Sequence, residues 1–69
     1  MRENKEEILK AFTRVLQMTK YWENLDALLY DKGSQEVVVI VNGSEAKRIN
    51  VANESGYAMV QDVVKNLPA

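Results

Sequence analysis

The sequence predicts a small α+β domain in the order helix, hairpin, helix. Three observations predict it. The opening stretch holds no Gly or Pro, and its apolar residues recur every seven positions. A β-branched run, Val37-Val38-Val39-Ile40-Val41, leads into Asn42-Gly43. A second helical pattern then ends at Pro68.

Residues 3–30 read as one long helix. Good helix formers dominate the stretch, and Glu3, Glu6 and Glu7 suit the positive end of its dipole. Glu6 and Lys10 are paired four apart in the favourable order. Ile8, Val15, Trp22 and Leu29 fall in one column, and Ala11, Met18 and Leu25 in the other, as in an a/d seam. Leu9, Phe12 and Leu16 widen the apolar face early on, and Tyr21 and Leu28 widen it later. Gly33 suits a helix stop in the left-handed conformation.

Residues 36–51 read as a β-hairpin. The valine-rich run has strand length, and Asn42-Gly43 is the favoured type I′ dipeptide. On the return, Ile49 and Val51 point one way and Arg48 and Asn50 the other. Residues 54–67 read as the second helix, capped by Asn53 or Ser55. Val60, Val63, Val64 and Leu67, with Met59 beside them, form its apolar stripe, and Lys65 suits its C-terminal end. No repeat, linker or low-complexity segment interrupts a single domain over 1–69.

Size sharpens the expectation. A chain of 69 residues buries only about 60% of the surface that its unfolded form exposes. With no Cys and no His, disulfides and the usual zinc sets are excluded. Good packing or self-association remains. A helix over 3–30 would run about 40 Å, twice the roughly 20 Å of a six-residue strand. Either the helix breaks near Met18-Thr19-Lys20, with Thr19 capping a new segment, or a second copy covers the overhang. The seven-residue register runs through Thr19 and favours the second copy.

The first strand points the same way. Val37, Val39 and Val41 lie on one face and Val38 and Ile40 on the other, a pattern usually buried on both sides. The competing arrangement sets one helix on each face. The sequence therefore predicts a homodimer or higher oligomer, with Ile8, Phe12, Val15, Met18, Trp22, Leu25, Val38 and Ile40 at the interface.

Chemistry is mostly excluded. The absence of His and Cys removes the commonest general base and the best nucleophile. Ser34, Ser44 and Ser55 have no Lys or acid at dyad spacing, and the lysines sit in polar contexts. Asp31, Glu36, Glu45, Glu54 and Asp62 read as solvated charges, and 31–36 lacks the ligand alternation of a calcium loop. We expect no catalytic residue, metal or cofactor. A net charge of −1 argues against non-specific nucleic-acid binding and equally against an acidic DNA mimic. The strands carry no aromatic that could stack on single-stranded nucleic acid. There is no secretory signal and no membrane-length apolar run, so the cytoplasm is the expected compartment.

The loop over 50–56 is the best candidate for a ligand or partner. Free N–H groups at a helix start can hold an anion, and Arg48 lies just upstream. The candidates are Arg48, Asn50, Asn53, Ser55 and Gly56; plain helix capping is the competing role. The stretch Lys47-Arg48-Ile49-Asn50-Val51-Ala52-Asn53-Glu54-Ser55-Gly56-Tyr57-Ala58-Met59-Val60-Gln61-Asp62-Val63-Val64 resembles the C-terminal half of small proteins of bacteria and their phages. That resemblance implies a phage or mobile-element product, a setting in which proteins of this size act as inhibitors or adaptors, anti-CRISPR proteins among them.

The expected function is a homo-oligomeric, non-enzymatic protein that binds a macromolecular partner. A nucleotide-sequestering protein is the alternative. A third reading is nucleic-acid binding through Lys47, Arg48, Lys10 and Arg14.

Overall fold

A computed structural model of the chain describes residues 4–20 and 22–67. Glu3, Tyr21 and Pro68, which entered the helix assignments above, lie outside the described residues. The α+β class stands, with the order α-β-β-β-α: α1 is Lys5–Gln17, β1 Leu25–Asp31, β2 Glu36–Val41, β3 Ser44–Asn50 and α2 Gly56–Asn66. The strands form one antiparallel sheet in the order β1-β2-β3.

The long helix over 3–30 is corrected: helix ends at Gln17, and residues 25–31 are strand. Asn4 starts α1 by accepting from Glu7 N–H (3.1 Å). Thr19 closes it, its N–H (3.0 Å) and hydroxyl (2.7 Å) both donating to Leu16 O. Thr19 thus ends the old helix rather than opening a new one. The sequence Leu-Asp-Ala-Leu-Leu-Tyr-Asp suits either period, and tertiary pairing overrides helix propensity there. Leu28, Leu29 and Tyr30 pair with Val39, Val38 and Val37.

The turn before β2 carries a second correction. Asp31 Oδ1 accepts from Gly33 N–H (3.0 Å) and Ser34 N–H (3.3 Å), so this segment is a hairpin turn. Gly33 is not a left-handed helix stop; Gln35 takes the left-handed conformation instead, at φ 57°. The next turn is as expected: Asn42 (φ 53°) and Gly43 (φ 77°) are both left-handed, as type I′ demands.

Both helices pack on the same face of the sheet, not one on each side. Leu9 and Leu16 of α1, Leu25 and Leu28 of β1, Val37 and Val39 of β2, Ile49, Val51, and Met59 and Val63 of α2 form one core. With α1 cut to 13 residues, the overhang that called for a second copy is gone. The chain instead folds back and lays β1 beside α1.

The outer edge of β1 is sealed by α1. Thr13, a buried polar residue, accepts from Leu28 N–H (3.1 Å) while donating to Leu9 O (2.8 Å). Gln17 Nε2 donates to Leu25 O (2.7 Å). Unpaired edge groups invite foreign strands, and these two side chains occupy the Leu28 N–H and the Leu25 carbonyl. The other edge, β3, is guarded differently. Its pairing shifts register between Val39 and Ile40, leaving Ala46 as an extra residue, and such bulges discourage continuation of a sheet.

Candidate functional site

Alternation along the strands sorts the sheet into two faces. Val37, Val39 and Ile49 point to the helices. Their neighbours point away: Ala27, Leu29 and Asp31 of β1, Glu36, Val38 and Ile40 of β2, and Glu45, Arg48 and Asn50 of β3. Side chains alternate across a strand, and the pairings Ala27–Ile40–Glu45, Leu29–Val38–Arg48 and Asp31–Glu36–Asn50 set them in rows. No element of the described chain lies over this face. An antiparallel sheet with one solvated face is ordinarily polar on that side. Here the centre is Leu29, Val38 and Ile40.

Arg48 organises the charged end. It donates through Nε to Glu45 Oε2 (3.0 Å), and through Nη1 to Asp31 Oδ2 and Glu36 Oε1 (3.1 Å each). Asp31 stands two strands away, so the stem of Arg48 must cross β2 at the level of Val38. That accounts for Val38 being only 7% exposed with no layer above it. Long charged side chains commonly cover apolar surface with their stems while the head stays wet. Leu29 beside it is 52% exposed.

The electrostatics follow. Arg48, then the N–H groups of Ser34 and Gly33, hold the Asp31 carboxyl below the usual carboxylate range. Glu45, Asp31 and Glu36 raise the pKa of Arg48 further still. Three carboxylates share one guanidinium, so the cluster keeps two uncompensated negative charges. Glu36 Oε2 and Glu45 Oε1 accept no hydrogen bond among the described residues. Asp26 stands at the hairpin end of the sheet, where its carboxylate accepts from Gly43 N–H.

The sequence-predicted interface residues scatter. Leu25 is 1% exposed in the core of its own chain, and Val38 is covered within the chain, so neither is available as assigned. Ile8, Phe12 and Trp22 are half-buried against the same core. Val15 (56%) and Met18 (87%) remain exposed on α1, and Ile40 is half-buried on the open face.

The five ligand candidates do not converge. Arg48 and Asn50 belong to the open face, while Gly56 is buried where α2 begins on the other side. Asn50 Oδ1 accepts from Ala52 N–H (3.1 Å). Asn53, at φ 65°, supplies the left-handed residue of a turn closed by Glu54 N–H on Val51 O (3.1 Å). Ser55 caps α2 by accepting from Ala58 N–H (3.1 Å). Glu54 faces Asp62, and its Oε1 is buried with no hydrogen-bond partner. Burial first, then the facing Asp62 carboxylate, push the Glu54 carboxyl up, with Lys5 opposing. An acid at the mouth of the helix disfavours an anion there.

Sequence reasoning weighed Asp31, Glu36 and Glu45 only as solvated charges. Their shared bond to Arg48 needs β1, which the helix assignment had removed. The usable signal was an apolar run, Leu28-Leu29-Tyr30, followed by turn chemistry in Asp31-Lys32-Gly33-Ser34 and a second apolar run.

No protein-family model, no curated protein and no solved structure matches this chain. Fold and surface define it as an α+β domain with a three-stranded sheet, helices on one face, and an apolar, acid-flanked opposite face. None of its described helices is long and apolar enough to cross a membrane.

Proposed function

We propose that the chain is a small non-enzymatic interaction protein that binds a macromolecular partner through the open face of its sheet. One observation carries this reading: Leu29, half exposed, and Ile40, partly exposed, present apolar surface on a face that no element of the described chain layers over. Apolar surface ringed by polar groups is how interaction sites are commonly built. The absence of His and Cys from the sequence supports binding over catalysis. The inhibitory role implied by the resemblance over 47–64 would act through the same face.

The test is site-specific photo-crosslinking in the native host. A photoreactive residue at Leu29 is expected to yield one discrete adduct, which disappears when Ile40→Asp is added. One at Val64, exposed on α2, is expected to yield none. Adducts from Val64 alone would remove the open face as the docking surface.

Self-association is a second reading, favoured by the exposed stripe of Ala11, Val15 and Met18 along α1. Light scattering should then report at least twice 7.9 kDa, and Val15→Lys should disperse the assembly.

A further inference from the structure

We infer that the partner of the open face is a protein surface with Lys or Arg around an apolar side chain. The inference rests on the reading just given and deepens it. Asp31, Glu36, Glu45 and Arg48 give the face a formal charge of −2. The whole chain carries −1, so everything outside that cluster sums to +1. Three of the ten acids, Asp31, Glu36 and Glu45, lie on the sheet face that no described element covers, with Arg48 as the one base among them. Overall charge hides this, because the bases sit mostly on helices and loops.

Placement of the acceptors specifies the chemistry. Glu36 and Glu45 each spend one oxygen on Arg48, and their second oxygens stay free on side chains that are 26% and 48% exposed. A second cation set beside Arg48 would meet two ready carboxylate acceptors, and such charge-assisted bonds are the strong ones. Asp31, held below the usual carboxylate range, stays ionised at neutral pH. Leu29 supplies exposed apolar area next to the cluster.

Two other occupants fit worse. A second copy docked by the same face would set acids against acids, since a two-fold contact pairs a patch with itself. A nucleic acid would bring phosphates to a net-negative surface.

The experiment uses three twelve-residue peptides sharing one apolar pattern, with the polar positions all Arg, all Gln or all Glu. Each is titrated into isotopically labelled protein while amide shifts are followed. The Arg peptide should move the amides of Leu29, Val38, Ile40 and Glu45, and bind more weakly as salt rises. The double variant Glu36→Gln, Glu45→Gln should lose at least about tenfold in affinity. Glu23→Gln, away from this face, should lose nothing, and retained amide dispersion in both variants shows that they fold. Equal binding of the Gln peptide would overturn the basic partner while leaving the face as a docking surface. Shifts confined to α1 or α2, or no binding of any peptide, would sink both the inference and the reading beneath it. Open-face shifts that depend on protein concentration without peptide would replace the partner by a second copy.

Discussion

The two faces of the sheet are built on different physics. The helix-covered face is dry: Leu9, Val37, Val51, Met59 and Val63 are fully buried and make one continuous core. The open face has no second layer. It hides one valine under the stem of Arg48 and leaves Leu29 half exposed. Burial against another element scales with apolar area and carries the fold. Shielding by a solvated side chain organises a surface without committing the fold to it. A face of the second kind can be opened, recharged or covered at little cost to stability.

The sharpest way to break the comparison is to truncate one leucine on each face. Leu9→Ala should cost about 2–5 kcal/mol, enough to unfold much of so small a domain. Leu29→Ala should cost well under about 1 kcal/mol, being already half in water. Urea denaturation of both variants reads the contrast, and equal losses would mean that the open face is part of the core.

Next in size is the sealed edge. Thr13→Val keeps the shape but leaves the buried Leu28 N–H without its acceptor, which should cost about 1–3 kcal/mol. Hydrogen exchange at Leu28 should speed up more than at Val39, its pairing partner on β2.

A smaller and opposite effect is expected at Gln35. A non-glycine residue at φ 57° is strained, so Gln35→Gly should change stability by at most about 1 kcal/mol, in the stabilising direction if relief of strain outweighs added chain entropy. A rise in melting temperature checks it.

The smallest effects are in pH dependence, and the two acids have opposite signs. The folded-state pKa of Asp31 is lowered. Its contribution is present above its ordinary value of 3.8 and is lost as pH falls through the lower folded value. The folded-state pKa of Glu54 is raised. It favours the fold below its ordinary value of 4.5 and loses that contribution as pH rises through the higher folded value. Glu54→Gln should therefore be more stable than the parent at pH 7, with the gain shrinking as pH falls through the raised folded value and gone below 4.5. Arg48→Met keeps an apolar stem over Val38 but frees Asp31, whose carboxyl should titrate nearer its ordinary range by NMR. If it does not, the guanidinium is not what holds it down.

Much of the fold was legible in local patterns. The valine run with Asn42-Gly43, the return strand, α2 with a cap at Asn53 or Ser55, and the first half of α1 all follow from periodicity and turn chemistry. Residues 18–31 did not. Leu25, Leu28 and Leu29 satisfy a seven-residue register as easily as a strand pattern, and Leu and Ala favour helix. Strand pairing with Val37–Val41 outweighed that preference. The open face was half legible: Val38 and Ile40 announced an apolar second face, and Arg48 and Asn50 were expected on the exposed face of the return strand, next to the loop over 50–56. The acids that complete the cluster come from three strands, and one of those strands had been read as helix.

By itself the sequence determined the α+β class, the type I′ turn, the place where α2 begins to within a residue or two and the exclusion of Cys- and His-based chemistry. Each depends on neighbouring residues or on composition alone. Only the tertiary structure decided that both helices share one face, that β1 exists, and that Asp31, Glu36, Glu45 and Arg48 meet. Those outcomes turn on which distant segments pair. Pairing is settled by burial and backbone hydrogen bonding across the whole chain, which no local window contains.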